Sequence, residues 1–482
     1  MHRNHHRQAR RVTVLLLGLA AVSATALPVA HAAPGTTERV SVASDGTQAN
    51  NISGRRGAPE ASADGQVVVF DSLASNLVPG DTNAFDDIFV RDRASGTTQR
   101  VSVSSRGAEG NNISSSPAIS GDGRFVAFVS NASNLVRGDT NGVRDIFVHD
   151  RARGTTERVS VSSSGAQGNG ASGGSGATND VATIAPAISA DGRFVAFESL
   201  ASNLVPGDTN GTRDVFVRDR QARTTERVSV ASDGTQANGF SSPGSINGDG
   251  RFVVFSSFAS NLVQEDTNQQ NDVFVRDRQA RTTERVSVSG TNQQADGSSS
   301  QADISGDGRF VVFTSAATNL VAGDANSVDD VFVRDRMAGT TQRVSVSSSG
   351  AEANGRSPSN GIRGGIRFGA AISGDGRFAV FDSQATNLVP GDTNTCGVFF
   401  PGAGMCPDVF VHDLATGSTD RVSVDSSGAQ ASSASTDPGI SADGTTVVFF
   451  SAASNLVAGD TNSCSFPAVS FPNCPDIFAH TR

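Results

Sequence analysis

The sequence lacks lysine, tyrosine and tryptophan altogether, and it holds only four cysteines and three methionines in 482 residues. Without tryptophan or tyrosine, the chain lacks the side chains on which sugar-binding proteins usually stack their ligands, which argues against a lectin. Its 38 basic residues are outnumbered by 48 acids, for a net charge of −10. A phosphate backbone needs a basic face, so this balance predicts no nucleic-acid partner.

Long hydrophobic runs are also scarce, and the one near the start belongs to a segment, residues 1–32, that has the pattern of a secretory signal peptide. The segment begins with a basic leader that contains Arg3, Arg7, Arg10 and Arg11. A short apolar run follows at residues 12–22, and an A-x-A sequence follows at Ala30-His31-Ala32. The run is too short for a membrane-spanning helix, which takes ~20 residues. No cysteine lies near the cleavage point to take a lipid anchor, and the paired arginines leave twin-arginine export as an alternative to the Sec route. We expect an extracellular or cell-envelope protein with a mature domain of residues 33–482.

The four cysteines form two pairs with the same frame, T-N-x-C-x9-C-P-D, which are Cys396 with Cys406 and Cys464 with Cys474. Four cysteines allow three pairings, and the equal spacing favours a disulfide within each pair. Export would place them in an oxidising compartment. A zinc site is the alternative, and the lack of C-x2-C spacing and of neighbouring histidines argues against it.

Three motifs recur seven times each, so the chain is built from seven copies of one unit. An Asp-Gly turn motif has its aspartate at Asp64, Asp122, Asp191, Asp249, Asp307, Asp375 and Asp443. The motif R-V-S-V begins at Arg39, Arg100, Arg158, Arg227, Arg285, Arg343 and Arg421. The motif D-[IV]-F begins at Asp87, Asp145, Asp214, Asp272, Asp330, Asp408 and Asp476.

The second copy shows how one unit folds. Four predicted strands, named A to D, cover Ala118–Ser120, Arg124–Ser130, Asp145–Asp150 and Glu157–Ser162, with turn signals between them. Four such strands form one antiparallel blade, and seven blades in a ring form an all-β, seven-bladed β-propeller. The last copy stops after strand C. Residues 36–42 supply its missing strand D, which closes the ring and covers a sheet edge.

The segments ISGDGRFVAF at 119–128 and DIFV at 145–148 resemble the TolB-like, or PD40 (WD40-like), propeller repeat. That family reads roughly S-P-D-G-[KR]-x-[IL]-A-F and then D-I-[YF]-V, and the resemblance covers nearly all of residues 33–482. This chain lacks the family's usual proline and tryptophan before Asp-Gly, the separate N-terminal domain of TolB, and the hydrolase domain of prolyl oligopeptidases. The resemblance implies the architecture and, for most of the family, a role in protein docking or scaffolding.

The loops of an antiparallel blade alternate between two faces of the ring. The short A–B and C–D turns share one face, and the B–C and D–A loops share the other, which we name the variable face. Extra chain near residues 170–183 and 357–368 and both cysteine-bearing insertions all fall on the variable face. Variable loops on a rigid scaffold are where binding is expected.

The B–C loops carry a D-x-N-x3-D pattern of oxygen atoms, which makes Ca2+ a candidate cofactor. The candidate ligands are Asp81, Asn83, Asp87, Asp139, Asn141, Asp145, Asp208, Asn210, Asp214, Asp266, Asn268, Asp272, Asp324, Asn326 and Asp330. The two cysteine-bearing loops keep the same residues at a longer spacing. The alternative is a structural Asx turn whose last aspartate accepts backbone N–H groups.

No catalytic residue stands out. His149, His412 and His480 occupy one repeat position of strand C, where other copies have arginine, and a G-x-S-x-G nucleophile elbow is absent. Acids are plentiful, but no pair suited to glycoside hydrolysis is singled out. Arginine–aspartate pairs across strands C and D, Arg100 with Asp92 and Arg158 with Asp150, are expected without a functional role.

The cysteine-bearing loops hold apolar side chains, which are Val398, Phe399, Phe400, Met405, Phe466, Val469 and Phe471. Either they form a partner-binding patch held ready by the disulfides, or they pack on each other over the end of the ring. The leading hypothesis is an exported, monomeric, non-enzymatic propeller that binds a protein or peptide through its variable face. The alternatives are a Ca2+-dependent hydrolase or lyase with acids near the central channel, and a Ca2+-stiffened structural protein of the cell envelope.

Overall fold

The computed structural model describes residue 1 and residues 35–174, 184–358, 369–396, 406–462, 464–466, 469–471 and 474–482, with the backbone alone for 465, 466 and 469–471. These residues form seven four-stranded antiparallel sheets and one two-stranded hairpin. The all-β, seven-bladed propeller predicted from the repeats is confirmed.

Each blade contributes one strand to each of four concentric layers. Strands A, nearest the axis, are β2 Glu60–Ala61, β6 Ser114–Ile119, β10 Ala187–Ile188, β14 Ser241–Ile246, β18 Ser299–Ile304, β22 Ala371–Ile372 and β26 Ser435–Ile440. Strands B are β3 Val67–Ser72, β7 Phe125–Ser130, β11 Phe194–Ser199, β15 Phe252–Ser257, β19 Phe310–Ser315, β23 Phe378–Ser383 and β27 Thr446–Ser451. Strands C are β4 Asp87–Asp92, β8 Asp145–Asp150, β12 Asp214–Asp219, β16 Asp272–Asp277, β20 Asp330–Asp335, β24 Asp408–Asp413 and β30 Asp476–Thr481. Strands D are β5 Thr97–Arg100, β9 Thr155–Arg158, β13 Thr224–Arg227, β17 Thr282–Arg285, β21 Thr340–Arg343, β25 Thr419–Arg421 and β1 Thr36–Arg39.

Blade seven is closed by the start of the domain, as predicted. Its order is β1-β30-β27-β26, and Thr36 pairs with Thr481 while Arg39 pairs with Phe478. The regular ladder is shorter than residues 36–42, because the chain turns after Arg39. The same turn shortens the predicted strand Glu157–Ser162 to Thr155–Arg158, since Val161 leaves the ladder and bridges Gln167.

The hydrophobic core lies between the blades. In every blade a phenylalanine of strand B packs near one of strand C, such as Phe70 and Phe89 with ring centroids 6.0 Å apart. Both are fully buried, and their cluster includes Val448 and Ile477 of blade seven. Each blade therefore covers the apolar face of its neighbour, which explains why strands B and C are apolar on both faces.

The strands A form a continuous inner wall. Each contacts the strand A of the next blade around the ring, and the residues that follow them form a belt of backbone hydrogen bonds. The donors and acceptors are Ala63 to Gly121, Gly121 to Ala190, Ala190 to Gly248, Gly248 to Gly306, Gly306 to Gly374, Gly374 to Ala442 and Asp443 to Ala63. This wall surrounds the central channel, and the belt lies at its end near the Asp-Gly turns.

The predicted cysteine pairing is confirmed. Cys396 is bonded to Cys406 and Cys464 to Cys474, with Cα atoms 4.8 and 5.2 Å apart. Two disulfides are typical of a protein from an oxidising, extracellular environment. In the described residues, no helix has the length and apolar character needed to cross a bilayer.

Candidate active site

One position of strand A separates two blades from the other five. It lies four residues before the aspartate of each Asp-Gly turn and is occupied by Glu60, Ala118, Ala187, Ser245, Asp303, Ala371 and Gly439. Five side chains are small, as expected where seven strands crowd around an axis. Only blades one and five place a carboxyl group there.

Both carboxyl groups lie at the channel edge of the wall. A strand A has a sheet neighbour on one side only, so every second N–H points towards the channel. The Oε2 of Glu60 accepts such an N–H from Ile119 at 3.1 Å, and the Oδ2 of Asp303 accepts one from Ile372 at 2.9 Å. Each acid therefore bonds to the next blade in the same direction around the ring.

The two acids differ in how many donors surround them. Asp303 also accepts the N–H of Ile304 at 2.8 Å and the hydroxyl of Ser245, whereas Glu60 accepts the N–H of Ile119 alone among the described residues. Donors stabilise the ionised form of a carboxyl group. Asp303 is thus better prepared to carry a negative charge than Glu60.

Burial raises the pKa of Glu60 to about 8, and the negative charge of Asp303 adds to the rise. Burial also raises the pKa of Asp303, against the effect of its donors. Both side chains keep partial contact with solvent although protein surrounds them deep in the ring. With a pKa of about 8, Glu60 keeps its proton at neutral pH, while the three donors around Asp303 favour the ionised form of that group.

Polar groups also surround the channel mouth on the variable face. Ion pairs join Arg56 to Asp86 at 2.6 Å, Arg213 to Glu198 at 3.5 Å and Arg356 to Asp329 at 2.8 Å. The strands A beneath them contain bulges, and Ser116, Gln301 and Asp437 adopt positive φ angles of 49°, 54° and 56° there. Bulges of this kind redirect side chains and are frequent beside active sites.

The D-x-N-x3-D loops hold an arginine in the place proposed for a cation. In blade two, Nη1 of Arg158 lies 3.3 Å from Asp139 and 3.2 Å from Asp145, and Ser160 donates to Asp145 at 2.5 Å. All seven blades repeat this arrangement with the arginine and the serine of R-V-S-V. The two motifs are therefore halves of one cluster, in which the guanidinium lies between the aspartates and offsets part of their charge.

Two of these clusters carry an additional carboxylate. Asp81, Asp87 and Glu109 converge on Arg100 in blade one, and Asp324, Asp330 and Glu352 converge on Arg343 in blade five, each set close enough to hold a metal ion. The other five blades have glutamine in place of the glutamate. Burial raises the pKa of Asp81 and of Asp324 to about 6, and the neighbouring aspartate contributes. Binding of Ca2+ by these loops stays a prediction.

The three histidines of the ring do not converge. His149, His412 and His480 lie in three different blades at the same place in strand C, and each Nδ1 is hydrogen-bonded to a threonine hydroxyl 2.8–2.9 Å away. Burial lowers the pKa of His149 and of His480 to about 4. They are neutral structural groups and form no shared metal site.

The predicted cross-strand charge pairs are wrong. The C–D turn sets Arg100 opposite Phe89 and Asp92 opposite Thr97, so Arg100 reaches the start of strand C. Asp150 instead pairs with Arg124 from the A–B turn at 2.7 Å. The prediction failed because the turn is shorter than the Asp92–Arg100 pairing requires, and strand D starts at Thr97.

Four of the seven predicted partner-binding residues lie outside the described part of the chain. Val398, Phe399, Phe400 and Met405 are outside the described residues. Phe466, Val469 and Phe471 belong to the hairpin of β28 Cys464–Phe466 and β29 Val469–Phe471, whose backbone alone is described. Their role as a binding patch stays a prediction.

Comparisons with known proteins show the fold. No family model and no curated protein match the chain. An oligogalacturonate lyase from Vibrio parahaemolyticus is similar with a TM-score of 0.50 at 11% identity, over 93% of this chain and 98% of that one. An oligogalacturonate lyase in complex with manganese is similar with a TM-score of 0.52 at 12% identity, over 93% and 96%. The propeller domain of the Trilobed protease from Pyrococcus furiosus, with a TM-score of 0.46 at 11% identity over 84% and 90%, is too remote to argue from.

These neighbours correct the leading functional hypothesis. A non-enzymatic scaffold is the expectation from the sequence, because no catalytic residue stands out there and most of the resembled family docks other proteins. The two lyases match this chain over 98% and 96% of their own lengths, so in those proteins a propeller of this length is itself an enzyme. The comparison thus contradicts the scaffold hypothesis. The TolB-like resemblance is supported at the level of the propeller fold, and membership of that repeat family stays a prediction.

Sequence reasoning did not find Glu60 and Asp303. The signal was present, because aligning the seven copies on their Asp-Gly turns isolates two acids among small residues. Their convergence on one channel, however, requires the closed ring. It also requires the inward N–H groups that hold each carboxyl group in place.

Proposed function

We propose that this protein is a hydrolase or lyase that cleaves glycosidic bonds in its central channel. The observation that carries the proposal is the pair Glu60 and Asp303 on the channel wall, where Glu60 keeps its proton at neutral pH and Asp303 accepts three hydrogen bonds. Two carboxyl groups held in opposite protonation states by their environments are the usual equipment for this chemistry. Glu60 is the general acid, and Asp303 is the general base.

The pair can serve either type of cleavage. In hydrolysis, Asp303 takes a proton from water, the water oxygen bonds to the anomeric carbon, and Glu60 gives its proton to the leaving oxygen. In elimination, Asp303 takes a proton from the carbon beside a sugar carboxylate, a carbon–carbon double bond forms, and the departing oxygen takes the proton of Glu60. Structural neighbours named as oligogalacturonate lyases support the second type and make polygalacturonate the first substrate to test.

The experiment compares wild type with Glu60→Gln and Asp303→Asn on polygalacturonate, xylan, cellulose and chitin. Released reducing ends report any cleavage, and absorbance of a new double bond separates elimination from hydrolysis. We expect each substitution to lower kcat by 10²–10⁴-fold, the usual contribution of one acid or base. Full activity in both variants would remove the channel acids from the proposal.

Glu157→Gln provides the matched control. Glu157 pairs with Arg220 at 2.7 Å on the outer strand β9, is half exposed and lies far from strand A. Its loss tests whether removing any glutamate lowers activity. We expect Glu157→Gln to cleave like wild type and to melt within a few degrees of it.

We propose further that the signal peptide of residues 1–32 directs export of the enzyme, which then works outside the cytoplasm. The two disulfides support this location, since such bonds persist in oxidising compartments. Amino-terminal sequencing of the secreted protein tests the cleavage near residue 33.

A further inference from the structure

Blade four differs from the other blades in one exposed feature of the variable face. Phe258 follows strand B and is 46% exposed, and Phe240 precedes strand A with its ring centroid 4.6 Å from that of Phe258. The residues equivalent to Phe258 are Leu73, Asn131, Leu200, Ala316, Gln384 and Ala452. Those equivalent to Phe240 are Ile52, Ile113, Ala171, Ser298, Arg356 and Ala434. No other blade has this aromatic pair, so the fold does not require it.

Polar groups hold the pair and flank it on its inner side. The guanidinium of Arg213 lies over the Phe240 ring, 5.1 Å from its centroid, and reaches Glu198 at 3.5 Å. The hydroxyl of Ser242 donates to Glu198 at 3.2 Å. Glu198 is buried, so these groups form a fixed array of charges and hydrogen-bonding atoms beside an exposed aromatic ring. A sugar ring offers the matching chemistry, with an apolar C–H face and polar hydroxyls at its rim.

One strand connects this feature to the proposed acids. Phe240 leads directly into β14, Ser242 is its second residue, and Ser245 donates its hydroxyl to Asp303. Five steps along a strand span roughly 16 Å. The aromatic pair therefore lies at one end of β14, and Asp303 of the neighbouring strand β18 is bonded to its other end, several linked sugar rings away.

We propose that Phe240 and Phe258 form a distal subsite that stacks one ring of an oligosaccharide whose scissile bond lies at Glu60 and Asp303. The proposal rests on the proposed function and adds the substrate class, a glycan chain long enough to run along β14. Short fragments fill the channel alone, and longer ones also reach the aromatic pair. The side chains usually used for stacking are absent from this chain, and exposed phenylalanine takes their place.

The test measures cleavage of oligogalacturonates of increasing length by wild type, Phe258→Ala and Phe258→Leu. Stacking on one aromatic ring is worth ~0.5–1.5 kcal/mol, so we expect kcat/KM to fall ~3–10-fold for long oligomers in both variants. Disaccharide and trisaccharide cleavage should not change. Phe258→Leu keeps an apolar surface, so a loss in that variant points to the ring face. Equal effects on short and long substrates, or no effect on any, would overturn the subsite.

Met337→Ala is the control for loss of an exposed apolar side chain. Met337 is 81% exposed in the C–D turn of blade five, on the face opposite the variable face. We expect Met337→Ala to show the same dependence of kcat/KM on substrate length as wild type. The melting temperature should be unchanged in all three variants.

Binding separates this inference from the proposed function. In a Glu60→Gln/Asp303→Asn background, calorimetry with the same oligogalacturonates and with xylo- and cello-oligosaccharides measures affinity with both proposed catalytic groups removed. Tighter binding of long oligomers that depends on Phe258 supports the subsite. Full activity of the single Glu60→Gln variant, measured separately by released reducing ends, defeats only the acid assignment. If Glu60→Gln loses activity but substitution of Phe258 does not change oligosaccharide affinity, only the subsite is overturned. Binding of no oligosaccharide by any variant overturns the subsite.

Discussion

Glu60 occupies a position on the inner wall of strands A where most blades have a small side chain, and few hydrogen-bond donors surround its carboxyl group. Ala118 and Ala371 fill the same place in blades two and six without any polar group. A protonated Glu60 fits this place because it needs no counter-ion. An ionised Glu60 must share the channel with Asp303, whose charge raises its pKa. The residue is therefore a source of instability as well as a proton donor.

We predict that the stability of the protein falls between pH 5 and 8 because of Glu60. Its pKa of about 8 in the folded state exceeds the ordinary value of 4.5, so unfolding releases its proton throughout this range. Below pH 4.5 both states hold the proton, and above pH 8 both have lost it. Glu60→Gln should match wild type at pH 4.5 and exceed it by ~1–3 kcal/mol at pH 9, allowing for partial contact with solvent.

Urea unfolding at the two pH values measures the difference. Asp303→Asn should also show a gain at the higher pH, because burial raises the pKa of Asp303 despite its three donors. A Glu60→Gln gain that is the same at both pH values would contradict the raised pKa. It would point to packing as the source of the gain.

At the scale of single elements, the junction of strands C and D explains most of the sequence repeat. The aspartate of D-[IV]-F accepts the serine hydroxyl and the arginine of R-V-S-V, and the loop asparagine donates to it, for example Asn83 to Asp87 at 2.9 Å. A sequence reader can recognise the recurrence and the turn. The partner of the aspartates is harder to see, because Arg100 lies thirteen residues along the chain and reaches them only in the actual register of the C–D hairpin.

We predict that the two glutamate clusters are less stable than the five glutamine clusters at neutral pH. In blade two, the amide of Gln167 donates to Asp139 at 3.0 Å, whereas Glu109 in blade one can only repel Asp81, whose pKa is raised to about 6. Glu109→Gln and Glu352→Gln should each add ~0.5–1 kcal/mol at pH 7.5. The gain should vanish at pH 4.5, where the raised aspartate is already protonated.

Gln167→Glu is the reciprocal control, since it builds the same carboxylate set in blade two. It should lower the melting temperature at pH 7.5 and leave it unchanged at pH 4.5. A loss of stability in Glu109→Gln would mean that its bonds to Arg100 and Thr82 outweigh the repulsion. Addition of Ca2+ and then of a chelator tests the cation prediction in the same series. We expect a rise in melting temperature for wild type that the Glu109→Gln/Glu352→Gln double variant lacks.

At the scale of the whole molecule, the ring was predictable because three motifs gave the same count and the chain ends complemented each other. The channel acids and the exposed aromatic pair were less predictable. Glu60 and Asp303 are 243 residues apart in the chain, and the charge of Asp303 acts on Glu60 only because the ring is closed. Phe240 and Phe258 are close in sequence, yet their exposure depends on how blade four presents the variable face. Position in the closed ring, more than residue type, makes these groups a site.

Strand β1 closes the ring through an ion pair with β30 and a hydrogen bond to blade six. Arg39 lies 3.0 Å from Asp460 and 3.3 Å from Asp476, and Thr37 donates to Val424 of blade six at 2.5 Å, as the equivalent threonine does between every pair of blades. Asp476 is fully buried, so Arg39→Met leaves it without its cation, at a cost of ~3–5 kcal/mol.

Arg227→Met removes the equivalent pair in blade three, where short turns still connect strand D to its neighbours. We expect Arg39→Met to cost more, because only the chain's full circuit of the ring links β1 to β30. Urea unfolding and size-exclusion chromatography of the two variants measure this difference. Equal losses and equal solubility would mean that β1 stabilises the ring no more than any other outer strand.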